Sequence, residues 1–484
     1  MFLTTKLAIF FDFLANFVVK YIKYTYMIMM KNIIVKPSLV AAASLIIGFS
    51  VSAQGIDGDW RGKLEVTPQA SLQIVFHISD PGASPQTITM DSPDQAAYGI
   101  PTQIKHLSPD SVSLTVDNIG MAYSGKLKDG KIYGTFSQGM LKKPMELSPD
   151  KSSGPNRPQT PQPPFPYSRS EVKVKNPEAN VTLSGILTIP QNADSETPVV
   201  VLVSGSGLQN RDEEIFGHKP FAVIADRLAR NGIASLRYDD RGYGESSGDG
   251  ANATTADNAS DAAAALEFVR KQGNFGKAGI LGHSEGGLVA FMLGSGKTSP
   301  DFIITLAGPA LRGDSIIMSQ NLHNLTKNGM PKDITDSYME ALEKTLQHRI
   351  DNPGTVMTEE FFESICPEWD RKPIYSALVD ALRKSFAKPN PWTDFMIGYS
   401  PASDMRATRV PALMLYGDKD TQVDATENSN AATRNIPKAD IKIMPGLNHL
   451  FQHATTGDVT EYQQIEETMS EEVLDDIVRF IRQQ

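Results

Sequence analysis

The segment PVVVLVSG, residues 198–205, sets five aliphatic residues in a row, Val199 to Val203, between a proline and a glycine. A strand that is apolar on both faces has to be covered on both, which is the situation of a strand inside a parallel sheet. Comparable runs recur as AGILGHS (278–284), DFIITLAGP (301–309) and VPALMLYGDKD (410–420). Amphipathic helical stretches separate them. In KPFAVIADRLARNG, Phe221, Ile224 and Leu228 share one helical face and Gly232 closes the helix; in EEVLDDIVRFIRQ, Leu474, Ile477, Val478 and Ile481 form the apolar face. Strand and helix alternating in this way from residue 169 to residue 484 predict an α/β fold with a mostly parallel sheet covered on both sides. A long helical insertion from about 311 to 406 interrupts the alternation.

Upstream the pattern differs. Residues 54–148 carry short alternating runs such as GKLEV, SLQIVFHI, SVSLTV and KIYGTF, punctuated by glycine, proline and Asp-Gly pairs, and predict a small all-β domain. KLKDGKIYG signals a hairpin, because Asp129-Gly130 accepts the positive φ angles of a two-residue turn. Residues 149–168 hold seven prolines between Pro149 and Pro166 and read as an extended, semi-rigid linker.

At the N-terminus, LAIFFDFLANFVV is a short apolar run interrupted by Asp12. From Met30 a second run has Lys31 and Lys36, then an apolar stretch, then Val51-Ser52-Ala53 as a small-x-small cleavage signature. This resembles a bacterial secretory signal peptide. Residues 1–53 are therefore expected to be leader and signal, with Met30 a candidate start, a mature chain from Gln54, no stable membrane anchor after cleavage, and a periplasmic or secreted location.

The chain has 484 residues, ample for two or three domains, and a formal net charge of −10, which provides no basic field for nucleic acid. One cysteine, Cys366, excludes an intramolecular disulfide framework and thiolate zinc sites, and the eight histidines form no close ligand cluster, so neither metal nor cofactor is expected. Gly205-x-Gly207 is no dinucleotide fingerprint, because Asn210 replaces the third glycine.

The chemistry concentrates in GILGHSEGGLVAFML, residues 279–293. An apolar strand that ends in Gly-x-Ser-x-Gly and runs straight into a helix is a nucleophile elbow: the glycines permit close approach of strand and helix, and Ser284 is held on a strained, exposed turn. A serine hydroxyl is a poor nucleophile without a neighbouring base.

In these features the chain resembles the α/β-hydrolase superfamily over roughly residues 169–484, and within it secreted bacterial serine esterases and serine aminopeptidases. The resemblance implies an acid after a late strand and a histidine after the last one. LMLYGDKDTQV and IMPGLNHLF supply them: Asp420 as acid, with Asp418 and Asp424 competing, and His449 as base, with His453 as runner-up. It further implies an oxyanion hole made by the backbone N–H of Glu285 and one from the loop SGSGLQNRDE, at Ser206 or Gly207, where Ser204-Gly205 stands in place of the usual His-Gly. RYDDRGYGESSG is similar to a structural turn of the superfamily, in which Arg241 pairs with carboxylates. The insertion at 311–406 occupies the place of a helical cap, whose Phe361, Phe362, Trp369, Tyr375 and Trp392 are candidates for lining an acyl or aromatic pocket or for the cap's own core.

The leading expectation is a secreted serine hydrolase acting on a small-molecule or polymer-linked carboxylic ester through an acyl-enzyme. One alternative is an aminopeptidase or prolyl-peptidase-like amide hydrolase that recognises a free N-terminus through Asp212, Glu213 and Glu214. A reading of another class is an adaptor that binds polysaccharide or envelope through residues 54–148, where Trp60, Tyr98, Tyr123 and Tyr133 are candidates for stacking and equally for the core.

Overall fold

A computed structural model describes residue 56 and residues 58–67, 70–78, 88–95, 97–116, 119–139, 141–150, 156–272, 275–365 and 373–484. The leader and signal segment, Cys366 and Trp369 lie outside the described residues. The chain forms two compact units, the first ending at Asn156 and the second comprising Arg157–Glu214 and His218–Gln484.

The first unit is a closed barrel of eight strands: β1 Gly58–Thr67, β2 Ala70–Ile78, β3 Ile88–Ser92, β4 Ala97–Ser108, β5 Ser111–Val116, β6 Met121–Lys128, β7 Lys131–Gln138 and β8 Leu141–Pro149. Each strand pairs antiparallel with the next and β8 returns to β1. The hairpin expected at Asp129-Gly130 joins β6 to β7, with φ of 51° and 74° at the two turn residues. Alternate residues fill the interior, as a barrel of this size requires. Trp60 and Tyr123 belong to that filling: the Trp60 indole donates to the carbonyl of Ile56 (2.7 Å) and the Tyr123 hydroxyl to that of Met145 (3.1 Å). Neither is available for stacking on a polymer. Tyr133 is, at 47% exposure on the outer surface.

In the second unit the antiparallel pair β9 (Tyr167–Asn176) and β10 (Val181–Pro190) leads into β11 (Val199–Val203), β12 (Ala234–Tyr238), β13 (Ala278–His283), β14 (Phe302–Leu306), β15 (Ala412–Gly417) and β16 (Asp440–Met444). The sheet order is β16-β15-β14-β13-β11-β12-β10-β9, parallel from β12 to β16. Every residue of β11, β13, β14 and β15 is buried, as their uninterrupted apolar runs require.

Helices α1 (Pro220–Arg230), α2 (Thr255–Lys271) and α3 (Glu285–Ser295) follow successive strands. Between β14 and β15 come α4 (Gly313–Lys327), α5 (Lys332–Asp351), α6 (Glu359–Ile365), α7 (Pro373–Phe386), α8 (Pro391–Gly398) and α9 (Ala402–Ala407), and α10 (Ala425–Asn435), α11 (Val459–Tyr462) and α12 (Glu471–Arg482) complete the chain. Two apolar cores cover the two faces of the sheet, one containing α2, α3 and α10 residues and the other α1 and α12. In the latter Leu474, Ile477 and Ile481 are almost wholly buried, each stabilising the fold by about 1.5–3 kcal/mol. The insertion has its own core, including Phe362.

The described part of the proline-rich stretch is fastened to the second unit. Arg157 donates to the carbonyls of Gln463 (2.9 Å) and Ile465 (2.8 Å), and Gln159 bonds both Thr468 N (2.6 Å) and the Met469 carbonyl (2.8 Å). These backbone groups lack sheet or helix partners, so side chains of the linker satisfy them.

The turn after β12 rests on Arg241, whose guanidinium donates to Asp261 (2.7 Å) and Asp257 (3.0 Å) and to the Asp257 carbonyl. Asp261 is almost completely buried. Arg241→Ala would leave that carboxylate without its countercharge and is expected to lower stability by about 3–5 kcal/mol. Urea unfolding checks this; an unchanged midpoint would refute it.

Candidate functional site

Ser284 occupies the junction of β13 and α3 with φ 50° and ψ −117°, a conformation that L residues adopt only when their surroundings enforce it. The enforcement comes from the packing of strand against helix. A Cβ on Gly282 would lie 1.9 Å from the Gly286 carbonyl oxygen, and one on Gly286 would lie 2.2 Å from that of Val203. Only glycine fits at either place. The Ser284 side chain caps no backbone N–H of α3 and the residue is half-buried, which leaves the hydroxyl at the surface of the turn.

His449 lies on the turn after β16, and its Nδ1 is 2.7 Å from Asp420 Oδ2. The other Asp420 oxygen accepts the backbone N–H groups of Gln422 (2.7 Å) and Val423 (2.9 Å), so the carboxylate is oriented before it meets the ring. Because a carboxylate oxygen accepts, Nδ1 carries a proton, and in the neutral ring the lone pair is then on Nε2. The competing carboxylates have other partners: Asp418 accepts Gly446 N–H (2.6 Å), and Asp424 caps α10 through Glu427 N–H (2.7 Å). His453 is exposed and bonded to Glu467. The His449 turn is shaped by the buried Asn448, whose Oδ1 accepts the N–H groups of Leu450 and Gln452, both at 3.0 Å. Nothing in the sequence singles out Asn448.

The loop after β11 passes beside the elbow, close enough that a Cβ on Gly205 would touch the Ser284 Cβ at 3.2 Å. Gly205 N–H is bonded to Glu213 Oε1 (2.6 Å), and Ser206 and Gly207, the expected sites of a second oxyanion donor, follow it in the loop. Both ends of this loop are tied to Asp240, through Ser204 Oγ (2.8 Å) and Gln209 N–H (2.7 Å). His283, one residue before Ser284, lies with its ring 4.9 Å from that of His449.

Residues 200–460 match the alpha/beta hydrolase family. The chain belongs to the α/β-hydrolase family. A curated relative, the esterase EstD of Thermotoga maritima, is 25% identical over 279 residues, 57% of this chain, and the chain spans 60% of that relative's length. Among solved structures, the esterase Pf2001 of Pyrococcus furiosus aligns over 66% of this chain and 93% of its own at 18% identity and a TM-score of 0.37. Est1E of Butyrivibrio proteoclasticus, solved with ferulic acid bound, aligns over 63% and 99% at 19% identity and a TM-score of 0.37.

Within this α/β-hydrolase the insertion makes polar contacts with both ends of α3, through Glu285 at the first turn and through Ser295 Oγ, which donates to Asp404 (2.8 Å), at the last. Glu285, buried at the first turn of α3, accepts the Trp392 indole N–H on both carboxylate oxygens (2.9 Å each) and the Thr255 hydroxyl (2.7 Å). Burial holds its carboxyl above the ordinary glutamate range, and the hydrogen bonds from Thr255, Trp392, Ser206 and Asn258 act against that shift. Of the aromatics expected to line a pocket, Trp392 is thus a clasp on Glu285, Phe362 fills the core of the insertion and Phe361 packs on it and on His348.

Asp240 responds more strongly to its surroundings. Although part of the residue reaches the surface, its carboxyl is enclosed, and burial pushes it up to about 8 against the hydrogen bonds from Gln209 and Ser204; the charges of Glu285 and Glu213 add to the rise. A carboxyl raised in the folded state binds a proton that the unfolded chain has released. Its contribution to stability is full below about pH 4 and is lost as pH rises through about 8. Asp240→Asn mimics the neutral form, with its amide turned toward Ser204 Oγ. The variant is expected to gain stability relative to wild type between pH 5 and pH 8, in urea unfolding at each pH; parallel curves would refute the assignment.

Proposed function

We propose that this α/β-hydrolase is a serine hydrolase that cleaves carboxylic esters through an acyl-enzyme on Ser284. The observation that carries the reading is His449 held through Nδ1 by Asp420, on a turn whose neighbour in space is the strained Ser284 elbow. His449 Nε2 takes the hydroxyl proton as Ser284 Oγ bonds to the ester carbonyl carbon, and Asp420 stabilises the resulting imidazolium. The carbonyl oxygen, now anionic, is met by Glu285 N–H and by Ser206 or Gly207 N–H, fixed before the reaction begins. Collapse of the tetrahedral intermediate breaks the bond to the alcohol oxygen, which leaves with the proton from His449. Water then repeats the sequence: His449 removes its proton, the water oxygen bonds to the acyl carbon, and Ser284 Oγ departs with the proton returned.

Ester rather than aminoacyl amide is favoured by the condition of the acidic loop. An aminopeptidase needs a carboxylate free to meet the substrate ammonium. Asp212 is paired with the buried Arg237 (2.7 Å), Glu213 is buried and bonded to Gly205 and His283, and Glu214 faces Lys219 at 3.5 Å. The Glu285 carboxylate is likewise taken up by protein donors. The curated relative named as an esterase points the same way.

We further propose export with cleavage after Ala53, on the strength of the charged and apolar pattern from Met30 to Ala53. Among the described residues no helix is long and apolar enough to cross a membrane. A polymer contact by the barrel would have to use its outer surface, where Tyr133 stands exposed.

Wild type is expected to react with a fluorophosphonate probe and to hydrolyse short p-nitrophenyl esters, and Ser284→Ala to lose both, with turnover falling at least about 1,000-fold. Asp420→Asn should retain labelling at a rate reduced about 100-fold or more, because the ring loses the tautomer that leaves Nε2 free. Aminoacyl p-nitroanilides run alongside should turn over far more slowly than the esters. Undiminished ester hydrolysis by Ser284→Ala would overturn the reading, and preference for the anilides would replace ester by amide. N-terminal sequencing of exported protein should begin at Gln54.

A further inference from the structure

Glu213 and His283 form a buried pair that touches three parts of the site at once. Glu213 Oε1 accepts Gly205 N–H (2.6 Å) and lies 2.9 Å from His283 Nδ1, and His283 Nε2 lies 3.0 Å from the backbone carbonyl oxygen of His449. Both side chains are almost wholly buried, at 5% and 6% exposure. Glu213 also takes a left-handed backbone with φ 50°, which a glutamate keeps only where its surroundings require it.

The hydrogen-bond partners orient the histidine ring. A carbonyl oxygen can only accept, so Nε2 carries a proton. Nδ1 faces Glu213 Oε1, which also accepts from Gly205, so one carboxyl oxygen joins the ring to the loop after β11. Burial alone would lower the histidine, but the Glu213 charge and hydrogen bond outweigh it, and His283 is raised above its ordinary range with smaller contributions from the His449 carbonyl and Asp420.

We propose that Glu213 is a positioning residue for the reaction: through Gly205 it fixes the loop that offers the second oxyanion donor, and through His283 it fixes the backbone of His449. The inference rests on the reading of Ser284 as nucleophile and adds to it a dependence on a carboxylate that touches neither substrate nor the reacting atoms. Such a pair acts in the transition state. The oxyanion donors must sit where charge develops, so loosening Gly205 costs more in turnover than in binding of the neutral ester.

The test uses the full chain with Glu213→Ala, Glu213→Gln and Glu213→Asp, a short p-nitrophenyl ester, and butylboronic acid, whose tetrahedral adduct with a serine occupies the oxyanion site. Glu213→Ala is expected to lower kcat about 10–100-fold with KM changed less than about threefold, and to weaken boronic acid inhibition by a similar factor. Glu213→Gln, which keeps an acceptor for Gly205 N–H and a donor for a neutral His283, should recover tenfold or more of the lost kcat. If Glu213→Ala fails to fold, Glu213→Asp carries the test: its carboxylate is drawn back by one methylene, and kcat and boronic acid affinity should fall together. Wild-type kcat in the folded Ala or Asp variant overturns the inference, as does a loss confined to KM or one without weaker boronic acid inhibition. Ser284→Ala separates the two claims, since a dead Ser284→Ala beside a fully active Glu213→Ala removes the positioning role alone, whereas an active Ser284→Ala removes the nucleophile reading itself.

Discussion

The carbonyl oxygen of Gly286 lies where a side chain on Gly282 would be, and the carbonyl of Val203 lies where one on Gly286 would be. This contact between β11, β13 and the first turn of α3 sets how far the nucleophile helix sinks toward the sheet. It also fixes the direction in which Ser284 leaves it. A methyl group at either glycine would push the helix outward, and the strained φ and ψ of Ser284 would relax toward an ordinary turn. The remaining parts of the site are arranged around that fixed point. The loop after β11 meets Ser284 through Gly205, and the turn after β16 meets His283 through the His449 carbonyl.

Around this point the protein buries more charge than a core usually tolerates. Arg211 pairs with Asp239, Arg241 with Asp261, His283 with Glu213, and Asp420 with His449, while Asp240 and Glu285 are enclosed with neutral donors. Pairing offsets part of the desolvation penalty, and burial raises the carboxyls of Asp240 and Glu285 above the ordinary range. The benefit is a set of dipoles that do not reorganise. Ser204, Gly205 and Gln209 are each bonded to a buried carboxyl, so the loop after β11 is held by contacts stronger than those water would make.

The frame of the second unit was legible because its signals are local. Runs of apolar residues mark its strands buried on both faces, and in the first unit Asp129-Gly130 likewise marks a two-residue hairpin whose φ angles are both positive. Closure of the β domain into a barrel was not legible, because pairing of β8 with β1 is a contact between distant segments and alternation is the same in a sandwich. The same limit applies within the candidate site. Asp418, Asp420 and Asp424 lie within seven residues, and only the path of the turn sends one to His449 and the others to Gly446 and α10. Glu213 is one of three consecutive acids, and its separation in role from Asp212 and Glu214 is wholly a matter of which way each side chain leaves the loop.

The clasp between Trp392 and Glu285 shows how one residue can serve both the core of the site and its covering. In the proposed mechanism the backbone N–H of Glu285 is one of the donors to the substrate oxygen. Its carboxyl reaches the insertion through Trp392 and α2 through Thr255. The first turn of α3 is therefore held from two sides, and the N–H at the head of the helix is held with it. An indole N–H has no acceptor capacity and a single direction, so the bond survives only while α8 keeps its place over α3. Movement of the insertion at this point would release the carboxyl beside the oxyanion donor. An enclosed carboxyl stripped of its donors is costly, and that cost keeps the insertion seated here.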